Sequence, residues 1–415
     1  MLRAEGFITS RQGAPPRVAG DLPLDQPLMR KPAAALEVRG SALAWPGSDV
    51  APQTYQVDFR TGQPDLRSFP RYIWHRFLYQ AAGALPLEQL GYTGPDGQPA
   101  LREQIAAWLY RSRGLLVDPR SVFITAGATH ALHLLAGLLY KDGHEILMED
   151  PCHTGMLRAL QAQGCPVRPV PVDSHGLQTA SLDGKGACAV YVTPSHQFPL
   201  GGILPANRRA ALVRFAREHD LYIIEDDYDS EFRYDGAPVA PLHSIDPQRV
   251  IYVGTFSKIL FPALRVGYAI LPEPLHERWR YLRTHSDVQN PPFEQAALAE
   301  FIRTRRLDRH VQHMRGIYRQ RRAALLQALA ENFGDAWQIW GDAAGLHVAV
   351  SFPGRRFDQR YIAACQEGRV RAIPVEHHSI HKGAHLDKLL LGYGHLEPAE
   401  IRAGIALLGK VIGGM

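Results

Sequence analysis

The chain is poor in cysteine: Cys152, Cys165, Cys188 and Cys365 are scattered through 415 residues, with no CxxC pair among them. That spacing offers no disulfide framework and suits reduced thiols in a cytoplasmic protein. Long apolar runs are missing too. The longest are strand-length or interrupted, so no membrane-spanning segment is expected. The start of the chain lacks the charged-then-apolar pattern of a signal peptide. Neither sign of charge prevails: 46 Lys and Arg against 41 Asp and Glu leave a formal +5, mild for this length. No repeats or low-complexity tracts occur. The composition that remains, 46% apolar and 21% charged, is that of an ordinary soluble globular chain large enough for two domains.

Against this background one segment stands out. Val250-Ile251-Tyr252-Val253 predicts a buried strand, and Thr255-Phe256-Ser257-Lys258 follows it, with Arg265 seven residues further on. A lysine just past a strand's carboxyl end loses its proton when desolvated and can form a Schiff base with an aldehyde. Flanking hydroxyls and an arginine suit a phosphate monoester. An aldehyde and a phosphate on one small molecule point to pyridoxal 5′-phosphate.

Upstream, Leu221-Tyr222-Ile223-Ile224 predicts a second strand running into Glu225-Asp226-Asp227-Tyr228-Asp229. Open α/β sheets bind ligands at the carboxyl ends of their strands. An Asp against the pyridine nitrogen keeps that ring protonated and electron-withdrawing. Asp226 is the candidate for this role and Tyr228 for reaching the ring hydroxyl; the plain alternative is an acidic cluster in a solvated turn. A third strand, Val122 to Thr125, leads through Ala126-Gly127-Ala128-Thr129 into an apolar helix from His130 to Tyr140. Small residues at a helix start expose backbone N–H groups, where the helix dipole favours an anion. One glycine between strand and helix is weak evidence alone; beside Ser257, Lys258 and Arg265 it completes a phosphate cup.

Taken in order, Thr193-Pro194-Ser195-His196-Gln197-Phe198-Pro199, then EDDYDSEFRY (Glu225 to Tyr234), then GTFSKILFPALRVGY (Gly254 to Tyr268) resemble the MocR/GabR subfamily of GntR-type transcriptional regulators. In that subfamily an aminotransferase-like domain follows a winged helix-turn-helix and serves as a pyridoxal-phosphate-dependent effector sensor and dimeriser. The resemblance covers nearly everything from about Asp58 onward. It implies an α/β chain of the PLP-dependent transferase fold type I: a large domain with a mostly parallel sheet flanked by helices, plus a smaller C-terminal α/β domain. It further implies that Lys258 carries the cofactor as an internal aldimine, that Asp226 meets the pyridine nitrogen and that Tyr228 meets the ring oxygen. Ala128, Thr129, Thr255, Ser257 and Arg265 would hold the phosphate, and Gln197 would join the cofactor's surroundings. Tyr92, in GYTGPDG, matches a tyrosine that reaches the phosphate of the neighbouring subunit, which implies a homodimer with shared sites.

The resemblance is incomplete in three places. Glu149-Asp150-Pro151-Cys152-His153-Thr154-Gly155 puts His153 where the subfamily usually has a tyrosine over the cofactor ring. In Leu389-Leu390-Leu391-Gly392-Tyr393, Leu390 stands at about the position of an arginine that clamps the substrate carboxylate in aminotransferases. Ala4 to Ile8 and Arg11-Gln12-Gly13 look like the last turn and wing of a winged helix, without the helix pair that would enter a DNA groove. Sequence-specific DNA binding by this chain is therefore not expected.

The expected layout is a wing remnant over residues 1–20, a linker or arm over 21–56, a large cofactor-binding domain over 57–285, and a long helix with a small C-terminal domain over 286–415. A helix over Pro99–Arg113 is predicted by Leu101, Ile105, Trp108 and Leu109. One long helix is predicted from Gln295 to Asn332, with Phe301, Leu307, Val311, Met314 and Leu325 as its buried stripe. Its arginines (303, 305, 306, 309, 315, 319, 321 and 322) predict a solvated basic face or, more sharply, a phosphate-contacting surface. Strands are expected at His347–Val350 and Ala372–Val375, and a last helix from Pro398 to Ile412. His377, His378, His381 and His385 crowd one loop, but no carboxylate or cysteine completes a metal set, so no metal is expected. A histidine-rich rim of the ligand pocket is the functional reading and an exposed loop the plain one.

Three functions are compatible with these residues. The first is a sensor that binds the cofactor and an amino-bearing effector. The second is a working class I/II aminotransferase with Lys258 as the proton-moving base. The third is a protein whose signal is pyridoxal phosphate itself.

Overall fold

The computed structural model describes residues 8–9, 13–19, 55–234, 239–341 and 344–414. It divides into two units, residues 1–49 and 50–415. Of the first, the described part is a short antiparallel pair, Ile8–Thr9 with Arg17–Val18. Most of the expected wing and arm lies outside the described residues.

The second unit is built on an eight-stranded sheet. Its spatial order is Val122–Thr125, Gly267–Ile270, Val250–Thr255, Tyr222–Asp227, Ala187–Val192, Glu145–Asp150, Val167–Asp173 and Gly176–Leu177. Strands 145–150, 167–173, 187–192, 222–227 and 250–255 pair in parallel. Strand Gly267–Ile270 runs antiparallel to both its neighbours, and Gly176–Leu177 runs antiparallel at the far edge. Strands Val122–Thr125, Ala187–Val192 and Val250–Thr255 are buried along their whole length because helices cover both faces. On one face Ala128–Leu139 packs Leu132, Leu135 and Leu139 with Ile146, Met148 and Tyr191. On the other, Pro99–Arg113 and Pro292–Arg303 place Leu101, Ile105, Leu298 and Phe301 around Ile124, Tyr252 and Tyr268.

A smaller antiparallel sheet, in the order Gln338–Trp340, His347–Ser351, Lys388–Gly392, Ile373–Pro374, forms the C-terminal layer. Helices Arg306–Phe333 and Pro398–Gly413 pack on it through Leu325, Leu329, Ile401 and Ile405. Val57–Asp58 pairs in parallel with Val370–Arg371, so the second unit's chain enters through this layer.

Two expected elements differ. The predicted long helix is two: Pro292–Arg303 and Arg306–Phe333 are separated at Thr304 and Arg305. Thr304 Oγ1 donates to the Glu300 carbonyl at 2.7 Å, and Arg305 adopts φ 59°, which the apolar periodicity on either side does not reveal. Part of the basic face is spent inside the fold, while Arg303, Arg305, Arg309 and Arg319 stay exposed. Arg321 is buried against Asp65 and Glu397, while Arg315 and Arg319 donate to the carbonyls of Glu231 and Tyr234. Strand Tyr222–Asp227 extends through the acidic run 225–227, so these carboxylates stand at the strand's end and not in the solvated turn that was the plain alternative. All four cysteines are buried and unpaired. No helix among the described residues is long and apolar enough to cross a membrane.

Candidate functional site

The strand setting of Glu225, Asp226 and Asp227 sorts three adjacent carboxylates by role. Side chains of a strand alternate between faces. Glu225 accepts from the N–H groups of Leu242 and His243, at 2.9 Å each. Asp227 accepts from Tyr252 Oη at 2.6 Å and pairs with Arg113 at 2.9 Å. Asp226, between them, faces the other way into a cavity of about 230 Å³. Its Oδ2 accepts from Tyr191 Oη at 2.7 Å. Its Oδ1 is buried and has no partner among the described residues. Burial holds the Asp226 acid up at about 6, with the Tyr191 hydrogen bond and the Lys258 charge opposing the rise and Asp227 adding to it.

Lys258 lies three residues past strand Val250–Thr255, on the same cavity. Its Nζ donates to the Gly62 carbonyl at 2.7 Å. Burial lowers its pKa, against the pull of Asp229 and Asp226 and with the push of Arg265. A larger fraction of neutral amine follows, which is the nucleophilic form.

The anion end is formed where strand Val122–Thr125 turns into helix Ala128–Leu139. Gly127 is the N-cap at φ 88° and offers no side chain to the first turn, so that turn's N–H groups stay available. Arg265 crosses beside it: its Nη2 donates to the Ala126 carbonyl at 2.5 Å, and a Cβ on Gly127 would lie 2.9 Å from that nitrogen. Thr129, Thr255 and Ser257 also line this end.

Nine of the residues expected from sequence therefore line one cavity: Ala128, Thr129, His153, Asp226, Tyr228, Thr255, Ser257, Lys258 and Arg265. Two do not. Gln197 is fully buried, but its amide donates to the carbonyls of Pro151 and Phe198 and accepts from the Leu200 N–H, so it braces a turn behind the cavity. Tyr92 is 90% exposed and lines no part of the cavity in its own chain. His153 caps helix Thr154–Ala162 by accepting from the Met156 N–H, and burial together with Lys258 holds its imidazole down at about 4. Tyr228 Oη donates to the His196 carbonyl at 2.9 Å and lies 3.0 Å from His196 Nδ1.

Sequence reasoning missed Tyr191, Asp229, His347 and Gly62. Tyr191 could have been found, as a tyrosine in the buried strand Ala187–Val192 needs a partner for its hydroxyl. Gly62 contributes only a carbonyl and carries no signal. His196, Asp229 and His347 bring one possible ligand atom each within 4.8 Å of one another. Their hydrogen bonds are largely made, however: His196 Nδ1 to both oxygens of Asp229 at 3.0 Å, His347 Nε2 to the Pro199 carbonyl at 3.1 Å. In the histidine-rich loop, His378 is buried against Phe198, and His381 is exposed, 3.2 Å from Asp150. Leu390 is fully buried among Val172, Leu200, Ala349 and Val375, and does not line the cavity.

The residues present fit a phosphorylated pyridine aldehyde. The unpartnered Asp226 Oδ1 suits a ring N–H, the buried Lys258 amine suits a carbonyl carbon, and the uncapped helix start with Arg265 suits the phosphate.

The sequence matches the family described as aminotransferase class I and II over residues 86–382. It is 32% identical over 411 residues to the probable rhizopine catabolism regulatory protein MocR of Rhizobium meliloti, covering 97% of this chain and 83% of that protein. It is 33% identical to the HTH-type pyridoxine biosynthesis transcriptional regulator PdxR of Corynebacterium glutamicum, covering 80% of this chain and 69% of that protein. Among solved structures, an archaeal alanine:glyoxylate aminotransferase superposes with a TM-score of 0.80 at 26% identity, over 86% of this chain and 91% of that one. LysN, the α-aminoadipate aminotransferase of Thermus thermophilus, solved with N-(5′-phosphopyridoxyl)-L-leucine, gives 0.79 at 25%, over 86% and 92%.

Proposed function

Since the chain belongs to the aminotransferase class I and II family, in the branch of MocR-type regulators, and takes pyridoxal 5′-phosphate as its cofactor, we propose that its cavity senses an amino-bearing effector and does not turn over amino acids efficiently. The cofactor supplies an aldehyde carbon open to amines and a ring that withdraws electrons from it. Lys258, whose Nζ donates to the Gly62 carbonyl, would be the attachment point. Asp226 Oδ1 would hold the ring-nitrogen proton, with Tyr191 holding Asp226. Tyr228 would meet the ring oxygen, with His196 behind it and Asp229 bonded to His196. Ala128, Thr129, Thr255, Ser257 and Arg265 would bind the phosphate, and His153 would cover the ring.

One observation carries the choice of sensor over enzyme. The only basic side chains other than histidine that line the cavity, among the described residues, are Lys258 and Arg265, both committed to the cofactor. The histidines there, His153 and His347, are held neutral by burial. A transaminase must orient the carboxylate of an amino acid and of an oxo acid, which takes a cation with fixed geometry. At the position expected for it, Leu390 is packed into the core.

A homodimer with Tyr92 reaching the partner's phosphate belongs to the same reading. It is supported by the exposure of Tyr72, Tyr79, Leu87 and Tyr92, at 77 to 90%. DNA would be contacted through a helix-turn-helix module, and the layout of arm, large domain (57–285) and small domain (286–415) is part of the proposal.

The test is to add a panel of primary amines to the cofactor-loaded protein and record visible absorbance, with and without a 2-oxo acid. A saturable change with one class of amine, and no new amino acid from the oxo acid, is expected. Repeated amino transfer to the oxo acid would establish an aminotransferase instead. No response to any amine would leave the cofactor itself as the signal.

A further inference from the structure

A second polar cavity, of about 320 Å³, lies on the other side of strand Tyr222–Asp227 from the cofactor cavity and shares no lining residue with it. Its walls are the end of helix Pro99–Arg113, the segment Ser230–Arg233 and the first turns of helix Arg306–Phe333. Four arginines line it: Arg111, Arg113, Arg233 and Arg315. Arg113, with its side chain 5% exposed, pairs with Asp227, and Arg111 lies 3.5 Å from Asp308. The other two have no carboxylate among the described residues. Arg315 gives Nε and Nη2 to the Glu231 carbonyl and keeps Nη1 unspent among the described residues. Arg233 makes no side-chain hydrogen bond to the described residues, and its Nε is buried. Arg113 Nε and Ser230 Oγ are buried and unpartnered among them as well. Glu231, the remaining acid on the wall among the described residues, is pushed up to about 8 by burial and by Asp227, so it adds no full negative charge at neutral pH.

Buried donors without partners are costly, and guanidinium forks match phosphate oxygens in geometry and charge. Among the described residues, four arginines against Asp227 and Asp308 leave two positive charges, the complement of a phosphate dianion. We propose that this arginine-lined cavity is a second ligand site, for a small phosphate dianion, free or carried as a monoester. It exceeds the cofactor cavity in volume, about 320 against about 230 Å³, so a body beyond the bare ion fits. The two cavities share one stretch of chain: Asp226, Tyr228 and Asp229 line the first, Ser230, Glu231 and Arg233 the second. Arg113 also grips Asp227, next to Asp226. A ligand in the second cavity therefore bears directly on the strand end that holds the cofactor ring, which is the requirement for coupling between sites.

The experiment uses the cofactor-loaded protein, so that the phosphate cup at Arg265 is filled. Inorganic phosphate and glycerol phosphate are titrated separately by calorimetry, with sodium chloride holding ionic strength constant. One saturable site per chain is expected, weakened roughly tenfold or more in Arg233→Gln and in Arg315→Gln, with the visible cofactor spectrum unchanged. Tighter binding of glycerol phosphate would identify a monoester ligand, and tighter binding of inorganic phosphate the free ion. Absence of saturable binding to the unmutated protein overturns the proposal, including the case where a second copy of the chain closes the cavity. So does binding that both substitutions leave intact.

Discussion

Tyr191→Phe isolates the hydrogen bond that holds Asp226. It removes one buried hydroxyl, 2.7 Å from Asp226 Oδ2, and leaves the carboxylate with no hydrogen-bond donor among the described residues. A hydrogen bond to a charged group is worth about 1.5–3 kcal/mol, so its loss strengthens proton binding by Asp226 roughly 10- to 150-fold. The acid, now half-titrated at about 6, then stays protonated through neutral pH. A protonated Asp226 must lose its proton before it can hold a ring N–H, and that cost appears only at pH values where it is protonated. Pyridoxamine 5′-phosphate reports this without the covalent bond to Lys258, and quenching of tryptophan fluorescence gives its Kd. Relative to the unmutated protein, affinity should fall roughly 3- to 40-fold at about pH 6.5 and differ by less than about 1.5-fold at about pH 8.5, because the lost bond weakens free and bound carboxylate alike. A loss of equal size at both pH values would mean that Tyr191 acts only through packing. No loss at either would remove Asp226 from the ring nitrogen.

Gly127→Ala forces an L-residue to φ 88° and puts a methyl 2.9 Å from Arg265 Nη2, so cofactor affinity should drop roughly tenfold or more, as read by equilibrium dialysis. Leu390→Ala should cost about 2–5 kcal/mol in urea unfolding while leaving cofactor affinity unchanged, because Leu390 belongs to the core and not to the cavity. Burial holds His153 at about 4 and His378 at about 3, both below the ordinary imidazole range. Their contribution to stability is complete above that range and is lost as pH falls through it towards those values. Neither nitrogen of His378 has a hydrogen-bond partner among the described residues, so His378→Phe should make the acid limb of the melting temperature against pH shallower. A limb of unchanged steepness would place His378 in water.

The chemistry-bearing residues were legible because each sits at a boundary that composition marks. Lys258 follows an apolar strand, Asp226 closes another, and Gly127 separates a strand from a helix. The choice of Asp226 among its neighbours becomes physically necessary once those residues are strand: alternation sends Glu225 and Asp227 to one face and leaves Asp226 for the other. Gln197 sits in a motif beside the site, but sequence cannot tell a residue that lines a cavity from one that braces the turn behind it. The break at Thr304–Arg305 was hidden because a single hydroxyl and one left-handed residue interrupt the helix while the apolar stripe continues on both sides. Tyr191 and Gly62 act from distant strands and loops, so only the fold brings them to Asp226 and Lys258.

A sensor must also move, and the cavity shows what could drive it. Most of its wall, including Lys258, Asp226 and Arg265, belongs to the large sheet and its loops, whereas His347 opens a strand of the C-terminal sheet and Leu346 directly precedes it. An amine bound at the cofactor carbon would then meet both layers, while Arg265 and Asp226, on the large one, would hold the cofactor's phosphate and ring nitrogen. Only contacts that differ between two arrangements can shift their balance. His347 is the residue placed to make that difference, since its imidazole is neutral, buried and tied to the Pro199 carbonyl across the layers. His347→Phe keeps the bulk and removes that tie. It should leave cofactor affinity unchanged and alter the affinity for the amino effector. A large loss of cofactor affinity would instead put His347 in the cofactor's own contact set and leave the two layers without a ligand-dependent link.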